Sequence, residues 1–460
     1  MSHPLLTAPI GRSLLLLAGP TTALMLTQVL VAIADGIFVG RLGTDALAGM
    51  ALVIPFVTLM FNIANGGMGG GVASAIARAL GAGRVDDAQA IVLHALILAV
   101  ALGAGFAVLD WACAAWLFQV LGGSGAALER ALSFSHVMFT GAVAIWANAF
   151  SAALLRGSGD TATPARVGLL ASIAYVPLSG ILTLGIADWP GLGVAGSAIA
   201  SLGVATAISV FQIRAIRGGR LGFVPKWRGL RLQGRIFREI LRVGILGSMT
   251  TMMANFTAVL MVGFAGRFGV AALAGYGIGA RLEYMIAPVA FGIGSGLTTM
   301  VGVAAGAGAW QRAVRMAWTG GLIAFAAIGL IGWLVALFPE AWSRLFTSDD
   351  QVAAASISYI RHVAPFYCLF GLGISLNFAS QGAGRMTTPL LASFARMITA
   401  MIAGWIVVEQ TDFGLDGLFG AIALGIVVYG CWFAASLLIR PWREKGPSTP
   451  PLRHSGAREA

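Results

Sequence analysis

The run S-L-L-L-L-A-G-P-T-T-A-L-M-L-T-Q-V-L-V-A-I-A-D, Ser13 to Asp35, continues through G-I-F-V-G-R-L-G-T-D-A-L-A-G to Gly49 and fixes how the rest of the chain is read. It is long enough to cross a bilayer, whose hydrocarbon core takes about 20 apolar residues at roughly 1.5 Å each. It also ends on an acid. A charged side chain costs about 2.5–3.5 kcal/mol at the bilayer centre and less toward the interface, so it faces water or a partner. Thr21, Gln28 and Asp35 recur every seven residues, which sets them on one helical face. Two readings of Asp35 follow: a member of a wet cavity wall, or a cap at the membrane interface.

The same pattern is written twice. Gly40-Arg41-Leu42-Gly43 with Ala46-Leu47-Ala48-Gly49 matches Gly266-Arg267-Phe268-Gly269 with Ala272-Leu273-Ala274-Gly275 at an offset of 226. Gly81-Ala82-Gly83 matches Gly306-Ala307-Gly308, and Gly157-Ser158-Gly159 with Thr163-Pro164 matches Gly382-Ala383-Gly384 with Thr388-Pro389, both at 225. Gly193 and Gly196 match Gly417 and Gly420 at 224. Four blocks at nearly one offset indicate a duplication. Each copy holds six apolar runs, and an even number gives both copies the same orientation, related by an axis along the membrane normal.

Composition agrees. Of 460 residues 58% are hydrophobic and 10% charged, where soluble domains carry about 25% charged residues. Mean hydropathy is +0.87. The expected fold is an all-α polytopic membrane protein with helices near 13–39, 47–77, 89–117, 132–155, 163–186 and 193–215, then 239–264, 271–304, 313–338, 354–380, 388–409 and 416–439. This divides the chain into an N-terminal six-helix lobe (1–216), a basic cytoplasmic linker (217–238), a C-terminal lobe (239–440) and a disordered tail (441–460). Net charge +11 does not mark a nucleic-acid protein here, because most Lys and Arg fall on one side of the membrane and acids such as Asp45, Glu129, Asp188 and Glu340 on the other. The positive-inside rule then places both termini in the cytoplasm of a bacterial inner membrane. The linker, with Arg217, Arg220, Lys226, Arg228, Arg231, Arg235 and Arg238, either binds anionic lipid or only fixes orientation. The first apolar run is too long for a signal peptide and reads as the first span.

Motifs for chemistry fail their context tests. G-L-G-V-A-G at 191–196 fits the dinucleotide pattern but follows Asp188-Trp189-Pro190 instead of a buried strand, so helix packing is the better account. Cys113, Cys368 and Cys431 form no framework, and no H-E-x-x-H, G-x-S-x-G or phosphate loop occurs, so neither an enzyme nor a cofactor or metal site is expected. Gly66–Gly71 and Gly292–Gly296 read as close-packing faces or hinges. Glu283 is a second acid, about 18 Å into the eighth helix; it has no acid counterpart in the first copy, nor does Asp35 in the second. Ser248, Thr251 and Asn255 line one face of the seventh helix beside Met252, a soft surface suited to varied ligands or an ordinary packed one. His94 and His136 stand alone in apolar runs.

Together, A-D-G-I-F-V-G-R-L-G-T-D-A-L-A-G, Asn65-Gly66-Gly67, G-A-G-R-V-D-D-A, L-R-G-S-G-D-T-A-T-P and G-L-G-V-A-G-S-A-I-A resemble the multidrug and toxic compound extrusion (MATE) family, in the prokaryotic branch resembling DNA-damage-inducible protein F. The resemblance implies two six-helix lobes in a V and a central cavity of alternating access. It further implies export of amphipathic, often cationic, drug-like compounds by a monomer in exchange for protons or sodium. It places Asp35 on the family's first-helix coupling acid. Beside it, this reading takes Glu283 as a second ion-coupling residue, supplying negative charge for cation binding or a second proton site, and expects Gln28, Asn62, Asn65, Tyr175, Ser179, Ser248, Thr251, Met252 and Asn255 to line the cavity. Where relatives carry an Asn and an acid on the fifth helix this chain has Tyr175 and Ser179, which leaves Asp35 fewer partners. No acid lies in Gly244–Phe264 or Val363–Ser380, which disfavours sodium. The rival is a flippase for lipid-linked precursors on a related fold, which needs more arginines at depth than Arg281 and Arg361.

Overall fold

A computed structural model describes residues 4–225, 231–439 and 441–442. Where no water reaches the backbone, each N–H and C=O must be satisfied within its own segment, so long apolar runs become helices. Among the described residues twelve spans result, with one bent helix pair counted as a single span. In the first half they are Ile10–Gly40, Thr44–Gly81, Val85–Val120, the bent pair Gly125–Thr140 and Ala142–Ser158, Ala162–Leu184 and Val194–Arg217. In the second they are Gly234–Gly266, Val270–Gly306, Trp310–Leu337, Asp350–Gly382, Thr387–Gln410 and Gly414–Ile439. The tail expected to be disordered lies outside the described residues apart from Pro441 and Trp442, as do Lys226 and Arg228 of the linker.

Several spans are interrupted, for local reasons. The fourth bends by 48° at Gly141. The second contains a wider turn over Ile63–Met68, and the eighth is broken at Arg281 between Val270–Ala280 and Leu282–Gly306. The tenth tightens at Ala364–Phe366, where Pro365 has no N–H to give. Glycines in the repeated blocks sit in turns that need positive φ: Gly43 and Gly269 at 104° and 101°, Gly83 and Gly308 at 71° and 72°. The duplication is therefore legible chiefly at its corners, where only glycine fits.

Both ends of the described chain and the linker lie at one end of the molecule, here the terminus end. The lobes meet there and diverge toward the other, forming a V. At the meeting end the first and seventh helices cross between lobes. Leu14, Leu17 and Ala18 pack with Ile293, Leu297 and Met300, while Ile236 and Ile240 join the first half's core around Val72 and Ile76. Away from it their faces are bare: Leu30, Ile33, Phe256 and Val259 are all more than half exposed.

The seam is built by backbones in close approach. A Cβ added at Gly81 would lie 2.1 Å from Val303 O, and one at Gly306 would lie 2.1 Å from Arg78 O. A Cβ at Gly67 would lie 2.4 Å from Ser248 Oγ and one at Gly71 would lie 2.8 Å from Gly244 N, so the glycine face of the second span packs across the lobes. Gly196 does the same within its lobe, against Leu182 O, in line with the packing account of G-L-G-V-A-G.

Candidate functional site

Asp35 lies five residues before the end of the first span, about 7.5 Å along the helix. It is half-buried. The fifth span presents Tyr175 and Ser179 one turn apart on the facing side, both buried. The Tyr175 hydroxyl donates to Asp35 Oδ2, and Ser179 Oγ donates to Oδ1 at 2.5 Å. The close approach is helped by Gly180, where an added Cβ would stand 3.2 Å from the Phe38 ring. The expectation that the missing acid and amide leave Asp35 with fewer partners therefore needs correction: hydroxyls occupy both oxygens. Two neutral donors stabilise a carboxylate without neutralising it.

The seven-residue stripe does not form one wall. Thr21 is 2% exposed while Gln28 is exposed. Asn62 is exposed, and Asn65 is half-buried with Nδ2 donating to Phe61 O at 3.1 Å. On the seventh span Ser248, Thr251 and Asn255 each donate to a carbonyl one turn back, of Gly244, Gly247 and Thr251. Their donors are thus committed locally. Met252, half exposed, leaves an apolar surface beside them.

Glu283 opens the second segment of the eighth span, two residues past its break. Tyr359 Oη donates to Glu283 Oε1 at 3.5 Å and lies 3.2 Å from Tyr367 Oη, with Tyr276 edge-on to the Tyr359 ring. Arg396 of the eleventh span stacks over Phe370 and Tyr429. Arg281 turns away onto Phe346. Both acids in the notional cavity are thus held by phenol or alcohol hydroxyls.

Three groups were not foreseen. Asp110, 8% exposed in the third span, is a further buried acid. His136 donates to it through Nδ1 at 2.8 Å, with the Trp111 ring stacked 4.1 Å away, so His136 is not solitary. His94 is not solitary either: its Nε2 accepts from the Gln233 N–H at 2.8 Å, which fastens the linker to the third span beside the Asp87–Arg235 ion pair. We expect His94→Ala to raise protease cleavage of the 217–238 linker several-fold, as judged by limited digestion, because this anchor and its edge contact with Phe237 are lost.

The third group is the seam itself. Ser74 Oγ donates to Gln381 O at 2.5 Å, and Thr299 Oγ1 donates to Arg156 O at 2.8 Å. Both pairs are related by the offset of 225, so the seam repeats one bond on each side of the pseudo-twofold axis. Arg78 adds a bond to Gly382 O at 3.3 Å and an ion pair to Glu239 at 3.2 Å, the latter on the first turns of the seventh span, before Gly244.

Twelve spans in two lobes that join at one end, with acids held between helices in the diverging part, define a multi-pass membrane transporter. The MatE family profile matches residues 20–181 and 247–406, one stretch in each copy, and the chain belongs to this family of transporters. It is 28% identical over 451 residues to a FAD transporter of Shewanella oneidensis, covering 95% of this chain and 97% of that one. It is 27% identical over 463 residues to the probable multidrug resistance protein NorM of Thermotoga maritima, covering 96% and 95%. Among solved structures, an outward-facing multidrug resistance MATE transporter of the MOP superfamily superimposes with a TM-score of 0.86 at 25% identity, covering 95% and 99%. The chain is a MATE-type efflux transporter, not an enzyme, and the flippase reading gives way to this family.

Proposed function

We propose that this chain is a proton-coupled antiporter of the bacterial inner membrane with both termini cytoplasmic, exporting amphipathic, often cationic, compounds. The lobes 1–216 and 239–440 rock about the seam, and the seam-closed form described above is the outward-open state. The observation that carries the reading is the Asp35 carboxylate with one hydroxyl donor on each oxygen. A proton arriving from outside turns one acceptor oxygen into a donor. The hydroxyl aimed at that oxygen then has to rotate and accept from it, so the hydrogen-bond pattern between the first and fifth helices changes. Loss of the charge weakens the hold on a cationic cargo, and proton release on the inner side resets the site. Coupling requires only that proton and cargo prefer different states. Glu283 supplies negative charge to the C-lobe, and Gln28, Asn62, Asn65, Ser248, Thr251, Met252 and Asn255 serve the cavity surface.

Sodium is disfavoured because a hard cation prefers six or so oxygen ligands, as calcium and magnesium do. Asp35 is instead met by Tyr175 and Ser179, whose hydroxyl hydrogens point at it. The test is purified protein in liposomes with imposed pH or sodium gradients and a fluorescent cation as cargo. Transport driven by sodium alone overturns the proposal. Ser179→Ala should move the midpoint of the transport pH profile roughly one to two units to higher pH, because a donor to a charged group is worth about 1.5–3 kcal/mol and its removal disfavours the carboxylate form.

A second reading of the cargo comes from the Shewanella relative, named for FAD. Flavin nucleotide uptake measured in the same liposomes separates the two: competition between FAD and the cationic dye would place both in one cavity.

A further inference from the structure

Arg156 lies two residues before the end of the fourth span at Ser158 and is 5% exposed. Its carbonyl accepts from Thr299. Its guanidinium has no hydrogen-bond or ion-pair partner among the described residues; it stands over the Phe291 ring, 5.8 Å from the centroid. The side chain borders a cavity of about 10 Å³ between the lobes, shared with Asn65, Ser295, Thr298, Phe378 and Gln381 and lined by no acid. That volume holds about one water or one small ion.

The other polar groups lining the cavity offer it few donors. Ser295 Oγ donates to Gly292 O, and Thr298 Oγ1 donates to Gly294 O and Phe378 O. Gln381 Nε2 is taken by Gly66 O and Gly67 O, while its Oε1 is buried without a partner. The offset of 225 makes Gln381 the counterpart of Arg156. One copy thus contributes a cation to the seam and the other a neutral amide, which avoids two like charges across one small cavity. What remains is a buried guanidinium with five N–H donors and no counter-charge, beside one orphaned acceptor. An uncompensated buried ion costs several kcal/mol, and the planar fork of donors matches an oxyanion or a halide.

We propose that Arg156 forms an anion-binding site in the lobe seam, taking one small inorganic anion of the size of chloride. Because the Thr299–Arg156 and Ser74–Gln381 bonds flank the site, a bound anion ties the lobes together at the terminus end. The site depends neither on Asp35 nor on which ion drives transport.

The test is thermal unfolding of the purified full chain in detergent. Sodium chloride, sodium phosphate and sodium acetate are each titrated against sodium gluconate at constant ionic strength. A saturable rise in Tm is expected for the wild type, with half-saturation weakened about tenfold or more in Arg156→Gln. Gln381→Glu is close to isosteric and places a carboxylate beside the guanidinium, so it should abolish the saturable response even if Arg156→Gln does not fold. Saturation by chloride is the expected result; saturation by phosphate or acetate without chloride overturns a site of this size. Wild-type protein with no saturable response, or Gln381→Glu protein with the wild-type response, overturns the site and leaves a water there.

Discussion

Asp35→Asn protein in liposomes is expected to lose at least about tenfold of its pH-gradient-driven transport while still exchanging labelled for unlabelled cargo in the absence of a gradient. The reasoning starts from what the substitution preserves. Asparagine has the volume of aspartate and keeps one acceptor oxygen, so either Tyr175 or Ser179 retains its bond. The amide nitrogen, a donor, faces the other hydroxyl, which rotates its hydrogen aside and accepts. The helices stay packed, and the site behaves as if permanently protonated. Coupling free energies of about 1–3 kcal/mol correspond to 5–150-fold effects on the linked step. Exchange, which needs cargo binding and rocking but no net proton movement, should survive. Undiminished gradient-driven transport would remove Asp35 from the mechanism; loss of exchange as well would show that the residue holds the fold and not the ion.

The second large effect is expected at the seam. Gly81→Ala and Gly306→Ala each place a methyl 2.1 Å from a carbonyl oxygen of the opposite lobe, at Val303 and Arg78. A carbonyl in a helix cannot rotate aside as a side chain does, so relief requires the lobes to part. Overpacking of this kind costs about 1–3 kcal/mol, and that cost falls only on the state in which the seam is closed. A two-state equilibrium biased by that amount shifts by roughly 5–150-fold toward the form open at the terminus end. Spin labels on the turns near 83 and 308 should report a longer interlobe distance in either variant, and a longer one still in the double variant. Gly277→Ala, where nothing lies within 4 Å of the added methyl, should leave the distribution unchanged. An unaltered distance in Gly81→Ala would mean that the seam yields locally and is not the contact that defines this state.

Much of this protein was written plainly in its sequence. Twelve spans follow from apolar runs of bilayer length, and the duplication follows from glycine corners such as Gly43 and Gly269 that no other residue fills comfortably. Asp35 and Glu283 stood out because an acid in a greasy run is costly wherever it points. Those properties belong to a residue and its immediate neighbours in the chain, and a linear pattern carries them. Partnership is different. Tyr175 is 140 residues from Asp35, and only the packing of the fifth span on the first turns two hydroxyls from apparent departures into the acid's ligands. Asp110 and His136 were single letters in apolar runs until adjacent helices faced them together. Arg156 is one letter of L-R-G-S-G-D-T-A-T-P in the sequence; its isolation is visible only once the opposite lobe closes over it and brings no acid to the cavity. A helical period says which residues share a face, but the face opposite is set by how whole helices pack, and that is a property of the tertiary structure alone.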